Sequence, residues 1–315
     1  RSFLSRGSRR VGVVGRVVVL GVILAFCIAL FSGLVGVPTA GEASLGTSGG
    51  GGAHTLALLL LVGLAQAAVM AYLILRVRRT GWGLVGVVFL AFFGLNTVVN
   101  QVESLVYLGD RLPPGTVPRL VIAGALVAAV FSVVAVTLLG KMRTSLIGPP
   151  ELPRPVRSAG QWVWRAAATA GIYVAVYFVF GYYVAWVNPA VRDFYGGGQA
   201  EGFLVHLAGL WVSSPWIYPF EALRGLLWIA FSLPLISLHP GRRAEVGLAT
   251  ALLFSVWSLQ LLLPNPYMPE AVARVHLVEL AASNFIFGAV VGFLLGRPQF
   301  LPSKAPVRTF TWSGL

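Results

Sequence analysis

Residues 274–296 read RVHLVELAASNFIFGAVVGFLLG. A cation, an imidazole and a carboxylate stand at the mouth of a run long enough to cross a bilayer, for which about 20 apolar residues suffice. Coiled as a helix, the stretch puts His276, Glu279 and Ser283 on one face, because spacings of three and four bring side chains together. Ionisable groups in or near hydrocarbon are costly, so they persist where they have a partner or a task.

The rest of the chain has the same character. Hydrophobic residues make up 57%, charged residues 10%, and the mean hydropathy is +0.83. A soluble domain would carry about a quarter charged residues, so the expected class is an all-α polytopic membrane protein. Apolar runs lie near 11–35, 54–75, 83–107, 118–140, 161–187, 217–237, 245–263 and 274–296, giving a single membrane-embedded domain over 1–315 with about eight spans. The chain opens on Arg1 rather than Met, and a truncated start is expected. Val37–Gly41 resembles the small-residue end of a signal peptide; a cleaved signal is the alternative to an uncleaved first span.

A net charge of +13 would suggest nucleic acid in a soluble chain. Here the basic residues sit in the short connections, so no nucleic-acid partner is expected and the bilayer is the expected surrounding. Taken alternately, one set of connections holds Arg1, Arg6, Arg9, Arg10, Arg16, Arg76, Arg78, Arg79, Lys141, Arg143, Arg154, Arg157, Arg165, Arg242, Arg243, Arg297, Lys304 and Arg308. The other holds only Arg111, Arg119, Arg192 and Arg274, with Arg224 inside a span. That bias predicts both termini in the cytoplasm. Abundant Gly, Ala, Val and Arg with little Lys suits a GC-rich bacterium, hence a bacterial cytoplasmic membrane. Cys27, the single cysteine, lies in an apolar run, which excludes an intrachain disulfide and reads as a small buried hydrophobe.

Two connections stand out. The Pro-rich cytoplasmic linker 141–160 divides the spans four and four, but Glu103 and Glu279 fall in the third and eighth spans, which rules out a 4+4 repeat. The outer connection 188–218 opens on the turn-forming Asn188-Pro189 and holds an apolar stretch, 203–212. As a helix it is about 15 Å long, too short to cross, and is expected to lie in the interface or re-enter partway. It contains His206, read as an interfacial residue.

Three spans carry polar stripes toward their outer ends. Asn96, Asn100, Glu103 and Tyr107 recur with helical period in the third span; Glu221, Arg224, Trp228 and Ser232 do so in the sixth; His276, Glu279 and Ser283 do so in the eighth. The expectation is an outward-opening polar pocket of Asn96, Asn100, Glu103, Glu221, Arg224, Arg274, His276, Glu279 and Ser283. The plainer readings are an internal Glu221–Arg224 pair, amide side chains acting as glue between helices, and Arg274 as a headgroup anchor.

Three functions could use this set. The leading one is a non-enzymatic membrane protein binding a small or lipid-like ligand or another membrane subunit. The second is a membrane-embedded, possibly metal-dependent hydrolase or transferase with Glu279 and His276 as catalytic candidates. The third is a proton- or cation-coupled carrier. No cofactor motif is evident; a divalent metal held by His276, Glu279 and Glu103 is an option carried by a weak spacing signal. Phe220–Leu227 is similar over eight residues to the Glu-Glu-x-x-x-Arg-Gly segment of CAAX-type intramembrane proteases. It has one Glu instead of two, three residues rather than four before Arg224, and the later His motifs are missing at family spacing. No catalytic role is carried over.

Overall fold

Hydrocarbon offers the backbone no hydrogen-bond partner, so an apolar run of this length must satisfy its own amides, as a helix does. The computed structural model describes residues 2–37, 51–143 and 158–296. Among them, eight helices are long and apolar enough to span: α1 (Ser2–Leu34), α2 (Gly51–Arg76), α3 (Trp82–Tyr107), α4 (Thr116–Leu138), α5 (Ala159–Trp186), α8 (Ile217–Ser237), α9 (Arg243–Leu262) and α10 (Glu270–Leu295). Two shorter helices, α6 (Pro189–Tyr195) and α7 (Phe203–Ser213), occupy the connection before α8. The chain is an all-α polytopic bundle, as its composition predicts. The Gly- and Ser-rich connection up to Gly50, the prolines at 149–155 and the last basic residues, Arg297, Lys304 and Arg308, lie outside the described residues.

Local chemistry sets the helix ends. Ser158 caps α5 in a reciprocal box: its hydroxyl accepts from the Gln161 amide, and the Gln161 side chain accepts from Ser158 N–H, both at 3.3 Å. Asn188-Pro189, expected as a turn, starts α6 instead. The Asn188 side chain accepts from the Ala190 amide at 3.0 Å, Pro189 takes the first helical position, and Gly196 closes the helix at φ 74°. Asn265-Pro266 is a turn, with Asn265 accepting from the Tyr267 amide at 2.9 Å.

Small residues bring the spans together. A Cβ at Gly288 would stand 2.6 Å from the Thr250 carbonyl oxygen, and one at Gly292 would stand 2.5 Å from that of Val246. This Gly-x-x-x-Gly pair therefore lets α9 and α10 pack backbone to backbone. Aromatic rings fill the centre, where Phe92 meets Phe131 at 4.7 Å and Trp257 at 5.1 Å. At one end, Arg76 of α2 pairs with Glu245 of α9, Lys141 donates to the Val77 carbonyl at 2.8 Å, and Arg165 of α5 reaches the Leu294 carbonyl of α10. We call this the basic end. The acidic end is the opposite one, where α3 and α5 finish and α8 and α10 begin.

Helix α7 is eleven residues long, none of them buried, with Leu204 and Val212 left 76% and 83% exposed. It is about 16 Å long and cannot cross. Aromatic rings hold it: His206 lies against Trp186 at 4.9 Å and Tyr182 at 5.5 Å, and Tyr218 meets Trp211 at 5.1 Å and donates its hydroxyl to the Leu207 carbonyl at 2.9 Å.

Candidate functional site at the acidic end

Arg224, on the second turn of α8, is the hub. Its guanidinium is nearly fully buried, donates to Glu221 one turn earlier at 2.8 Å, and pairs with Glu103 of α3. Tyr107, one turn beyond Glu103, donates to the other oxygen of Glu221 at 2.6 Å, and Tyr177 of α5 donates to the Tyr107 hydroxyl at 3.1 Å. The buried Glu221 thus has its oxygens satisfied by a guanidinium and a phenol from two different helices. A carboxylate in a dry interior requires this.

Helix α10 supplies the second half. His276 Nδ1 stands 2.6 Å from Glu279 Oε2, and Nε2 stands 3.3 Å from the Tyr195 hydroxyl of α6. The carboxylate on one ring nitrogen orients the imidazole toward the phenol. Tyr195 is held in turn by Arg111, whose guanidinium lies 4.3 Å from the Phe194 ring and 5.8 Å from that of Tyr195. Burial pushes the Tyr195 hydroxyl well above its ordinary pKa, and the charges of Glu103 and Glu279 push the same way. It remains a neutral phenol.

The two halves share a cavity. Tyr173, Tyr177, Arg224, Glu279, Ser283 and Asn284 line a partly open space of about 10 Å³, room for about one water. Each contributing helix places its part locally. In α5 the helix widens into a π turn at Gly181–Trp186, and Gly181 faces Glu279: a Cβ there would stand 3.6 Å from Oε1. Such turns recur at functional sites. On α8, Gly225 lets Tyr173 lie directly over the hub, with Arg224 5.9 Å from the Tyr173 ring.

Of the residues expected from sequence, Glu103, Glu221, Arg224, His276, Glu279 and Ser283 meet here. Asn96 does not: it accepts from Gln260 of α9, and Asn100 donates to the Asn96 carbonyl at 2.9 Å. Arg274 is largely exposed and pairs with Glu270 on its own helix. Sequence reasoning passed over Tyr173, Tyr177, Tyr195, Asn284 and Gln260. The four-residue spacing of Tyr173 and Tyr177 was a readable stripe on the fifth span. Nothing in the sequence marks Tyr195 as a partner of His276. Among the described residues, no three His, Cys, Asp or Glu side chains are grouped to hold a metal. The chain matches no protein-family model, no curated protein and no solved structure.

Proposed function

We propose that this is a cation- or proton-binding protein of a bacterial cytoplasmic membrane, with both termini in the cytoplasm and the acidic end facing out. One observation carries the reading. Glu103 and Glu221 hold the Arg224 guanidinium, Glu279 pairs with His276, and Arg224 and Glu279 line one small cavity between the two pairings. Three acidic residues thus stand against Arg224 and His276, in a chain whose net charge is +13. Arg224 is occupied by two carboxylates, so an anionic headgroup would have to displace one of them. A space for one water fits a proton on water or a small monovalent ion better than a lipid-like molecule, and Glu279, Ser283, Asn284 and the phenols offer oxygen donors suited to a hard cation. The Tyr195–His276–Glu279 chain of hydrogen bonds leads from a surface helix to that space.

The Glu279–His276 contact also favours a second reading, a hydrolase or transferase in which Glu279 orients His276 as a general base. The hydroxyl that His276 faces belongs to Tyr195, whose ionisation burial opposes, so it makes a poor nucleophile. Labelling of Tyr195 by a sulfonyl fluoride, abolished by His276→Ala, would favour that reading.

The test is thermal unfolding of detergent-purified protein in NaCl, KCl or LiCl against N-methylglucamine chloride at equal ionic strength, and across pH 5–9. A ligand that binds only the folded state adds about 2.7 kcal/mol at a hundred times its Kd. We expect one small cation, or protonation, to raise the Tm by several degrees. Glu279→Gln should remain folded and lose that response. An unresponsive parent would leave the cluster as polar glue between helices and end the proposal.

A further inference from the structure

A sizeable cavity lies far from the ionic cluster, on the outer face of the α9–α10 hairpin at the basic end. It has a volume of about 520 Å³, opens to the surroundings, and is lined almost wholly by apolar side chains, among them Ala244, Leu248, Phe285, Ala289 and Phe293. Leu248, Phe285 and Phe293 are exposed. Groove residues 285–294 cover about 14 Å of helix, at 1.5 Å per residue. The groove therefore runs along the span from the membrane surface toward its middle. It exists because Gly288 and Gly292 draw the two backbones together, which leaves the larger flanking side chains as its walls.

A charge stands at its mouth. Arg243 begins α9, and its guanidinium lies 6.0 Å from the Phe293 ring that forms the rim. Arg242 precedes it, and both are exposed. Neither has an ion-pair partner among the described residues, because Glu245, the carboxylate nearest in sequence, is taken by Arg76. An apolar groove in a membrane span, with the Arg243 guanidinium at its rim and the exposed Arg242 next to it in sequence, has the chemistry of one phospholipid. The groove takes an acyl chain, and the arginines take a phosphate and its net negative charge.

We propose that the α9–α10 groove is a binding site for a single anionic phospholipid. It is independent of the cation reading above. A basic residue near a membrane surface attracts anionic lipid by about fivefold in affinity, so the pair should select phosphatidylglycerol over phosphatidylcholine by about tenfold or more.

Native mass spectrometry of the full chain, purified in mild detergent and supplied with equimolar phosphatidylglycerol and phosphatidylcholine, reads this directly. The expected result is one retained phosphatidylglycerol. Arg242→Gln/Arg243→Gln should retain both lipids equally, and Ala289→Leu, which fills the groove, should retain neither while its unfolding midpoint stays near that of the parent. Equal retention of the two lipids by the parent would make the groove an ordinary lipid-facing surface and overturn the proposal. Retention unchanged in Ala289→Leu would overturn it too. A dimeric parent that Ala289→Leu converts to monomers would assign the groove to a second copy of the chain.

Discussion

Removing the Arg224 guanidinium isolates the importance of the hub, since it leaves Glu221 fully buried and Glu103 only partly so. Breaking a buried ion pair from one side costs about 3–5 kcal/mol, because the surviving charge stays desolvated. Glu103, about a third open to its surroundings, contributes little of this. We expect Arg224→Gln to destabilise by that order and Arg224→Gln/Glu221→Gln to recover most of the loss. Denaturant midpoints of the two single variants and the double supply the coupling; additivity would mean that Glu221 and Arg224 do not share a charge. A second titratable residue lies at the basic end. His239 is buried; its Nδ1 accepts from the Gly241 amide at 3.0 Å, and its Nε2 has no partner. Tyr72, Arg76 and Glu245 surround the site, with Glu245 bonded to the other two. Burial, and then the Arg76 charge, hold the His239 pKa below its ordinary value of 6.5. A lowered folded pKa means that the unfolded chain binds the proton first. Stability is therefore complete above about pH 6.5 and falls as pH drops through that value toward the folded pKa. Thermal unfolding at pH 7.5 and pH 5 isolates this contribution as a difference: whatever protonation of the acidic cluster adds to both proteins, the parent should lose more, or gain less, than His239→Gln on going to pH 5. Equal changes would remove His239 from the account.

At the scale of elements, the spans were legible because lipid is an unforgiving solvent: a run of apolar residues must be a helix and must be long. The apolar run near 217–237 forms the helix Ile217–Ser237. Which faces meet was legible only in part. The third-span stripe assumes a uniform helix, but α3 widens into a π turn at Gly94–Val98. That turn leaves no mark in hydropathy and sends Asn96 to Gln260 while Glu103 and Tyr107 turn to α8. Arg274 was drawn into the expected pocket by its neighbours in sequence, yet the carboxylate four residues earlier, Glu270, takes it away. Tyr195 depends on how the connection folds over the bundle, which spacing does not encode. The contact of α9 with α10 depends on Gly292, where a Cβ would meet a backbone oxygen of Val246 that cannot swing aside. Gly292→Val should therefore cost at least the 1–3 kcal/mol usual for overpacking. Gly171→Ala, on an open face of α5 with nothing near its Cβ, should be neutral or stabilising by up to about 1 kcal/mol. Side-by-side melts compare them, and equal Tm values would show that α9 and α10 can separate without loss.

For the whole molecule, the arrangement of charge links fold to function. The described arginines and lysine of the basic connections gather at one end of the bundle, and the buried carboxylates gather at the other. If the basic end is cytoplasmic, as the bias of Lys and Arg predicts, the acidic cavity faces out, and the proposed cation would reach it from outside past Tyr195 and His276. If the protein sits the other way, the proposed cation would come from the cytoplasm, and the lipid proposed for the α9–α10 groove would belong to the outer leaflet. The lone Cys27 is buried, so a Cys27→Ala background gives a clean reporter. We expect Gln199→Cys, exposed between α6 and α7, to react with a membrane-impermeant maleimide in intact cells. Gly160→Cys, exposed at the start of α5 with open space around its Cβ, should react only after the membrane is breached. The reverse pattern would invert the topology and carry the cation path and the lipid site with it. Labelling of both in intact cells would mean that α5, the one span between them, does not cross, and the eight-span bundle itself would have to be redrawn.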